Sequence, residues 1–97
     1  MNYNNPPITC KDGFRISVQA KDDSWCQRNT DGKLLTVECG FPTTVPKTAE
    51  LRNHAVDVVL TGGTSEYTEA IYPYTPVEVV RAEIAAHGGM LDGTLPV

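Results

Sequence analysis

Three cysteines and two histidines are the side chains of this 97-residue chain best suited to ligating a metal or attacking an electrophile. Cys10, Cys26 and Cys39 are 16 and 13 residues apart, with no Cys-x-x-Cys knuckle of the kind that pinches a tetrahedral zinc site. Cys39 also alternates in phase with Leu35 and Val37, which marks a core position rather than a ligand. His54 and His87 form no His-x-x-x-His pair. A Cys–His nucleophile is open to any chain that holds both residues, and no local pattern builds one here. There is no nucleophile elbow around a serine, and Gly62-Gly63 lacks the lysine and helix of a phosphate loop, so it reads as a hairpin turn. These residues predict no catalytic centre, no metal and no cofactor.

Binding has more candidates. Arg15, Arg52 and His54 could meet an anionic ligand, with Asn53 completing a polar stretch around the last two. Trp25, Tyr67, Tyr72 and Tyr74 could form a contact patch, because Trp and Tyr are enriched at interface hot spots. Arg15, Gln19 and the stretch 21–33 would line its rim. Tyr72 and Tyr74 flank Pro73, so at least one of them should pack beneath the helix that follows.

The elements that must position these residues are short. Ile8–Lys11 and Phe14–Ala20 flank Asp12-Gly13, a strong hairpin signal that predicts a type I′ turn. Phe14, Ile16, Val18 and Ala20 alternate with Arg15, Ser17 and Gln19, one face on a core and one in water. Trp25 and Cys26 start a short strand that leads through Asp31-Gly32 into Leu34–Cys39. There Leu35, Val37 and Cys39 should share one face. Gly40–Pro46 ends the sheet segment, since proline cannot donate to a central ladder. Residues 47–55 read as an ordered loop in preference to a helical turn. Val56–Thr61 and Tyr67–Tyr72 read as further strands.

One helix has both ends written out. Thr75 is the expected N-cap, Pro76 the first helical residue, and Glu78 the capping-box partner. His87 suits the last turn, and Gly88-Gly89 stops the helix. Val77, Val80 and Ile84 form the stripe facing the sheet. Val79, Ala82 and Ala86 lie opposite, with Glu83 and His87 on a flank. That small-residue face is either plain helix-forming surface or a contact with another helix, a second copy in a homodimer being the candidate partner.

Composition sets the frame. Forty per cent of the residues are hydrophobic and 21 % charged, enough for one modest core and too little chain for two. No apolar run can span a bilayer, and Met1–Pro7 has no signal-peptide character, so a cytosolic protein off the membrane is expected. The odd number of cysteines fits reduced thiols better than a disulfide framework. Residues 1–48 hold six basic and five acidic side chains, residues 49–97 two and seven. The acidic second half disfavours nucleic acid as a partner.

Asp12–Ala20 with Trp25-Cys26, then Val37–Pro42, then Tyr74–Met90, together resemble a family of small uncharacterised proteins encoded by tailed bacteriophages. The resemblance implies no activity and carries over no catalytic residue. It implies a context, in which accessory proteins of this size bind host proteins or signalling molecules, as anti-CRISPR and other counter-defence inhibitors do. The expectation is therefore an α+β domain over residues 8–91, after a loose arm (1–7) and before a tail (92–97). It should hold an antiparallel sheet of four to five strands, with one C-terminal helix packed across one face. The expected role is non-enzymatic: binding and inhibiting a host macromolecule, such as a defence component, in the host cytosol. The alternative is an oligomeric protein that sequesters a small nucleotide-like ligand.

Overall fold

The computed structural model describes residues 5–21, 24–56 and 65–96. Strands β1 (Ile8–Cys10) and β2 (Arg15–Gln19) pair antiparallel with Ile8 opposite Ile16. The turn between them is not the expected type I′. The Gly13 N–H donates to the Cys10 carbonyl at 3.0 Å and the Cys10 N–H to the Phe14 carbonyl at 2.7 Å, a type I turn closed by a bulge. Gly13 alone has positive φ, 96°, a conformation that glycine adopts without steric cost. The Asp31-Gly32 hairpin repeats the device: Gly32 donates to Asn29 and Asn29 to Lys33, joining β3 (Gln27–Arg28) to β4 (Leu34–Gly40). The short strand thus starts two residues after Trp25.

Among the described residues the sheet is antiparallel throughout and has six strands, Met90–Asp92 adding β6 against β1 to the four to five expected. Its centre is β4. Gly40 faces Ser17 and Ile71, and Thr36 faces Gln27 and Pro76. So β5 (Ile71–Pro76) runs along one edge of β4, while β2 and β3 share the other. Along β2 the alternation holds up to Val18, with Phe14, Ile16 and Val18 buried, but Gln19, expected in water, is buried too. On β4 it breaks: Leu34 is buried and Leu35 is 45 % exposed. The register slips between Gln27 and Arg28, leaving Leu35 unpaired, and the extra residue turns its side chain outward.

Two segments differ from expectation because tertiary contacts decide them. Residues 49–52 form a single helical turn, α1 (Ala49–Arg52), rather than a loop, capped by Thr48 and anchored by fully buried Leu51. Tyr67 and Thr68 belong to a second helical turn, α2 (Ser65–Thr68), so the strand expected over Tyr67–Tyr72 starts only at Ile71. Val56 makes one bridge to Ile71. The rest of the strand expected over Val56–Thr61, and the Gly62-Gly63 turn, lie outside the described residues.

Helix α3 (Val77–Ala86) packs on β4 and β5 and against α1. Val80 and Ile84 are buried, and Val77 packs at the margin of the core. Thr75 is not the cap. It sits in β5 opposite Val37, fully buried, and its hydroxyl donates to the Tyr72 carbonyl at 3.0 Å. Pro76 takes the cap position with no side-chain hydrogen bond, which leaves Glu78 exposed without the box. The C-terminal stop is as expected: Gly89 N–H reaches Ile84 and Gly88 N–H reaches Ala85, the paired bonds of a Schellman motif.

Candidate functional site

Where α3 ends, its last residues meet the first hairpin. His87, only 2 % exposed, sits with Nδ1 2.7 Å from Asp12 Oδ2 and Nε2 2.7 Å from Glu83 Oε2. Its ring stacks on Phe14, centroids 3.8 Å apart and 9° from parallel. Both ring nitrogens are thus engaged with a carboxylate oxygen. Glu83, 1 % exposed, is more fully engaged still. Its Oε1 accepts from the Thr48 N–H and hydroxyl, and its Oε2 from the Lys47 N–H as well as His87. One carboxylate therefore ties α3 to the cap of α1 and, through His87, to the β1–β2 turn.

The electrostatics follow from those bonds. Burial pushes the Glu83 carboxyl up, but the N–H groups of Thr48 and Lys47, the Thr48 hydroxyl and His87 outweigh it and hold it below its ordinary value. Asp12 is also held low, first by the Phe14 N–H and then, against some desolvation, by His87 and Lys47. Burial raises the nearby Cys10 thiol, and Asp12 and Glu83 raise it further, so it stays protonated. A cleft of about 350 Å³ opens beside Asp12, Thr43, Thr44 and Lys47. Chemically the cluster is self-contained. Both imidazole nitrogens are already hydrogen-bonded to carboxylates, and the nearby Cys10 is in its less reactive thiol form. Among the described residues no group of His, Cys, Asp and Glu is arranged to hold a metal.

The residues singled out by type are scattered. Arg52 Nη1 donates to the carbonyls of Pro46, at 2.7 Å, and Lys47, at 3.0 Å, so it braces the chain before α1. His54 follows that turn, with its N–H on the Leu51 carbonyl. Arg15 lies on the outer face of β2, its Nε on Thr9 Oγ1. Among the described residues no hydrogen bond joins these three, and the cavity that Arg15 lines includes neither Arg52 nor His54. Tyr72 is not available to a partner: it is wholly buried, its hydroxyl donates to the Tyr67 carbonyl at 2.6 Å, and burial raises its pKa. On α3, Ala82 and Ala86 are exposed, whereas Val79 packs partly against the core, which narrows the second face to two alanines.

Two of the candidates do come together. The Tyr74 N–H donates to the Trp25 carbonyl at 3.0 Å, and the Trp25 N–H to Glu38 Oε1 at 3.2 Å. Both aromatic side chains stay about half exposed, 51 % for Trp25 and 47 % for Tyr74. The cause is a bulge in β5. Val37 pairs with Thr75 and Cys39 with Tyr72, so Pro73 and Tyr74 together oppose Glu38. Pro73 lacks an N–H and suits such a position. Tyr74 is held at φ 51°, a left-handed conformation that bulky residues rarely adopt.

No protein-family model, curated protein or solved structure matches this chain. The site is therefore defined by its own geometry. Asp12 and Glu83 escaped the sequence reading, although a signal for the helical pair existed. His87 is seven residues after Val80 and falls about 20° from it on a helical wheel, with Glu83 about 60° to the other side of Val80 from Val77. Both are on the buried arc, hidden by residue types that suggest solvent.

Proposed function

We propose that the protein is a non-catalytic binding protein that engages a partner protein through the Trp25–Tyr74 surface. The observation that carries this is Tyr74. A left-handed tyrosine costs about 1–3 kcal/mol, and here the strain holds a large ring half out in water, its backbone hydrogen-bonded to that of half-exposed Trp25. Trp and Tyr are the residue types that most often dominate protein interfaces. The saturated bonding of the Asp12–His87–Glu83 cluster and the protonated state of Cys10 also favour binding over catalysis. The resemblance to small phage proteins is what makes a host protein, such as a defence component, the partner of first choice.

The test separates interface from scaffold. Tyr74→Gly relieves the left-handed strain, so it raises stability by about 1 kcal/mol in chemical denaturation. Combined with Trp25→Ala, it abolishes capture of the partner that the wild-type chain retains from host lysate at low salt. Equal capture by the double variant, or none by the wild type, would reject the reading.

A further inference from the structure

On the opposite side of β2 from the core lies a second cavity, of about 610 Å³, within the range of small-molecule sites. The face expected to be in water is covered by Asn5, Pro6 and Pro7, the described part of the arm expected to be loose. Asn5 makes the cover rigid: its Nδ2 donates to the carbonyls of Val18 and Thr94, and its N–H reaches Gln19 Oε1 at 3.3 Å. Gln19 Nε2 returns the contact, donating to the Asn5 carbonyl at 2.7 Å and to Ser17 Oγ. Pro6, Pro7 and Phe41 supply flat apolar walls. Phe41 is 56 % exposed and left-handed, φ 53°, whereas the only other phenylalanine, Phe14, is buried.

Among the described residues, the side-chain groups left over in this cavity are two donor groups and one acceptor, the Asn5 amide oxygen. Arg15 uses Nε on Thr9, and its Nη1 and Nη2 meet no acceptor among the described residues. Ser17 Oγ accepts from Gln19 and keeps its own proton. Asn5 and Gln19 are already engaged with each other. A single guanidinium with two parallel N–H groups matches one planar carboxylate, while a phosphate dianion would need a second positive charge. β2 pairs with β1 and with β4, so it has no open edge for an added peptide strand. We infer that this cavity binds a small aromatic monocarboxylate, its carboxylate on Arg15 and Ser17 and its ring between Phe41 and the Pro6-Pro7 wall. This site is separate from the Trp25–Tyr74 surface, and either assignment can fail without the other.

The probe is 2-naphthoate, titrated into the full chain and followed by amide chemical shifts. Saturable binding is expected, with shifts concentrated at Arg15, Ser17, Gln19 and Phe41. Arg15→Gln should weaken it roughly tenfold or more, as loss of a charged hydrogen-bond pair does, with an unchanged melting temperature showing the fold intact. The neutral isostere 2-naphthamide should lose as much against the wild type. Absence of saturation, shifts centred elsewhere, equal affinity for the amide, or indifference to Arg15→Gln would each overturn the site. A short peptide with a C-terminal tryptophan that binds far more tightly than naphthoate would overturn the small-molecule assignment.

Discussion

The two faces of the first hairpin treat their polar groups in opposite ways. On the inner face, buried His87 and Glu83 have their polar atoms engaged, by each other, by exposed Asp12 and by Lys47 and Thr48. On the outer face, Arg15 and Ser17 keep donors directed into a cavity walled by proline and phenylalanine. The first pattern stabilises, because buried charge is tolerated only when each lone pair and proton finds a partner. The second contributes little to stability and leaves capacity for recognition.

Mutations on the two sides should differ in cost by about an order of magnitude. Glu83→Ala strands two backbone N–H groups, a hydroxyl and an imidazole, so it should cost about 3–5 kcal/mol in urea unfolding. A cost under 1 kcal/mol would show that the cluster is ornamental. His87→Ala should follow at about 2–4 kcal/mol, because it leaves Glu83 charged and buried and removes the ring stacked on Phe14.

Acid provides a subtler probe of the same side. Glu83 and Asp12 bind protons less readily when folded than when unfolded, from ordinary values of 4.5 and 3.8. Their contribution is fully present above those values and is lost as pH falls through the lower folded ones. Melting temperature should therefore drop below about pH 4.5, and Glu83→Gln should start lower and fall less steeply. At the small end, Arg15→Gln and Ser17→Ala should each change stability by less than about 0.5 kcal/mol. A larger loss would make Arg15 part of the scaffold and erase the contrast.

Much of the fold was legible because its signals are local. Two Asp-Gly turns, the alternation along β2 and the glycine pair after α3 each act within a few residues, and all appear as elements in place. The misread positions share a different cause. Leu35 depends on where a strand slips against its neighbour, and Tyr72 and Thr75 on which strand lies opposite, none of which is written in the local pattern. The site residues were harder still. Glu83 and Asp12 look like solvent-facing carboxylates until a histidine is placed between them, and the Arg15 cavity exists only because Asn5 folds the arm across β2.

The bond between Asp12 and His87 joins residues 75 positions apart. Closing so long a segment carries an entropic cost that must be met before the contact gives anything back, which places it late in folding. On a ribosome, the hairpin that carries Asp12 can form while α3 is still unmade, and it then waits with its carboxylate in water. The cluster that locks the molecule is assembled only when residue 87 arrives, so until then the nascent chain has its strands but not their fastening.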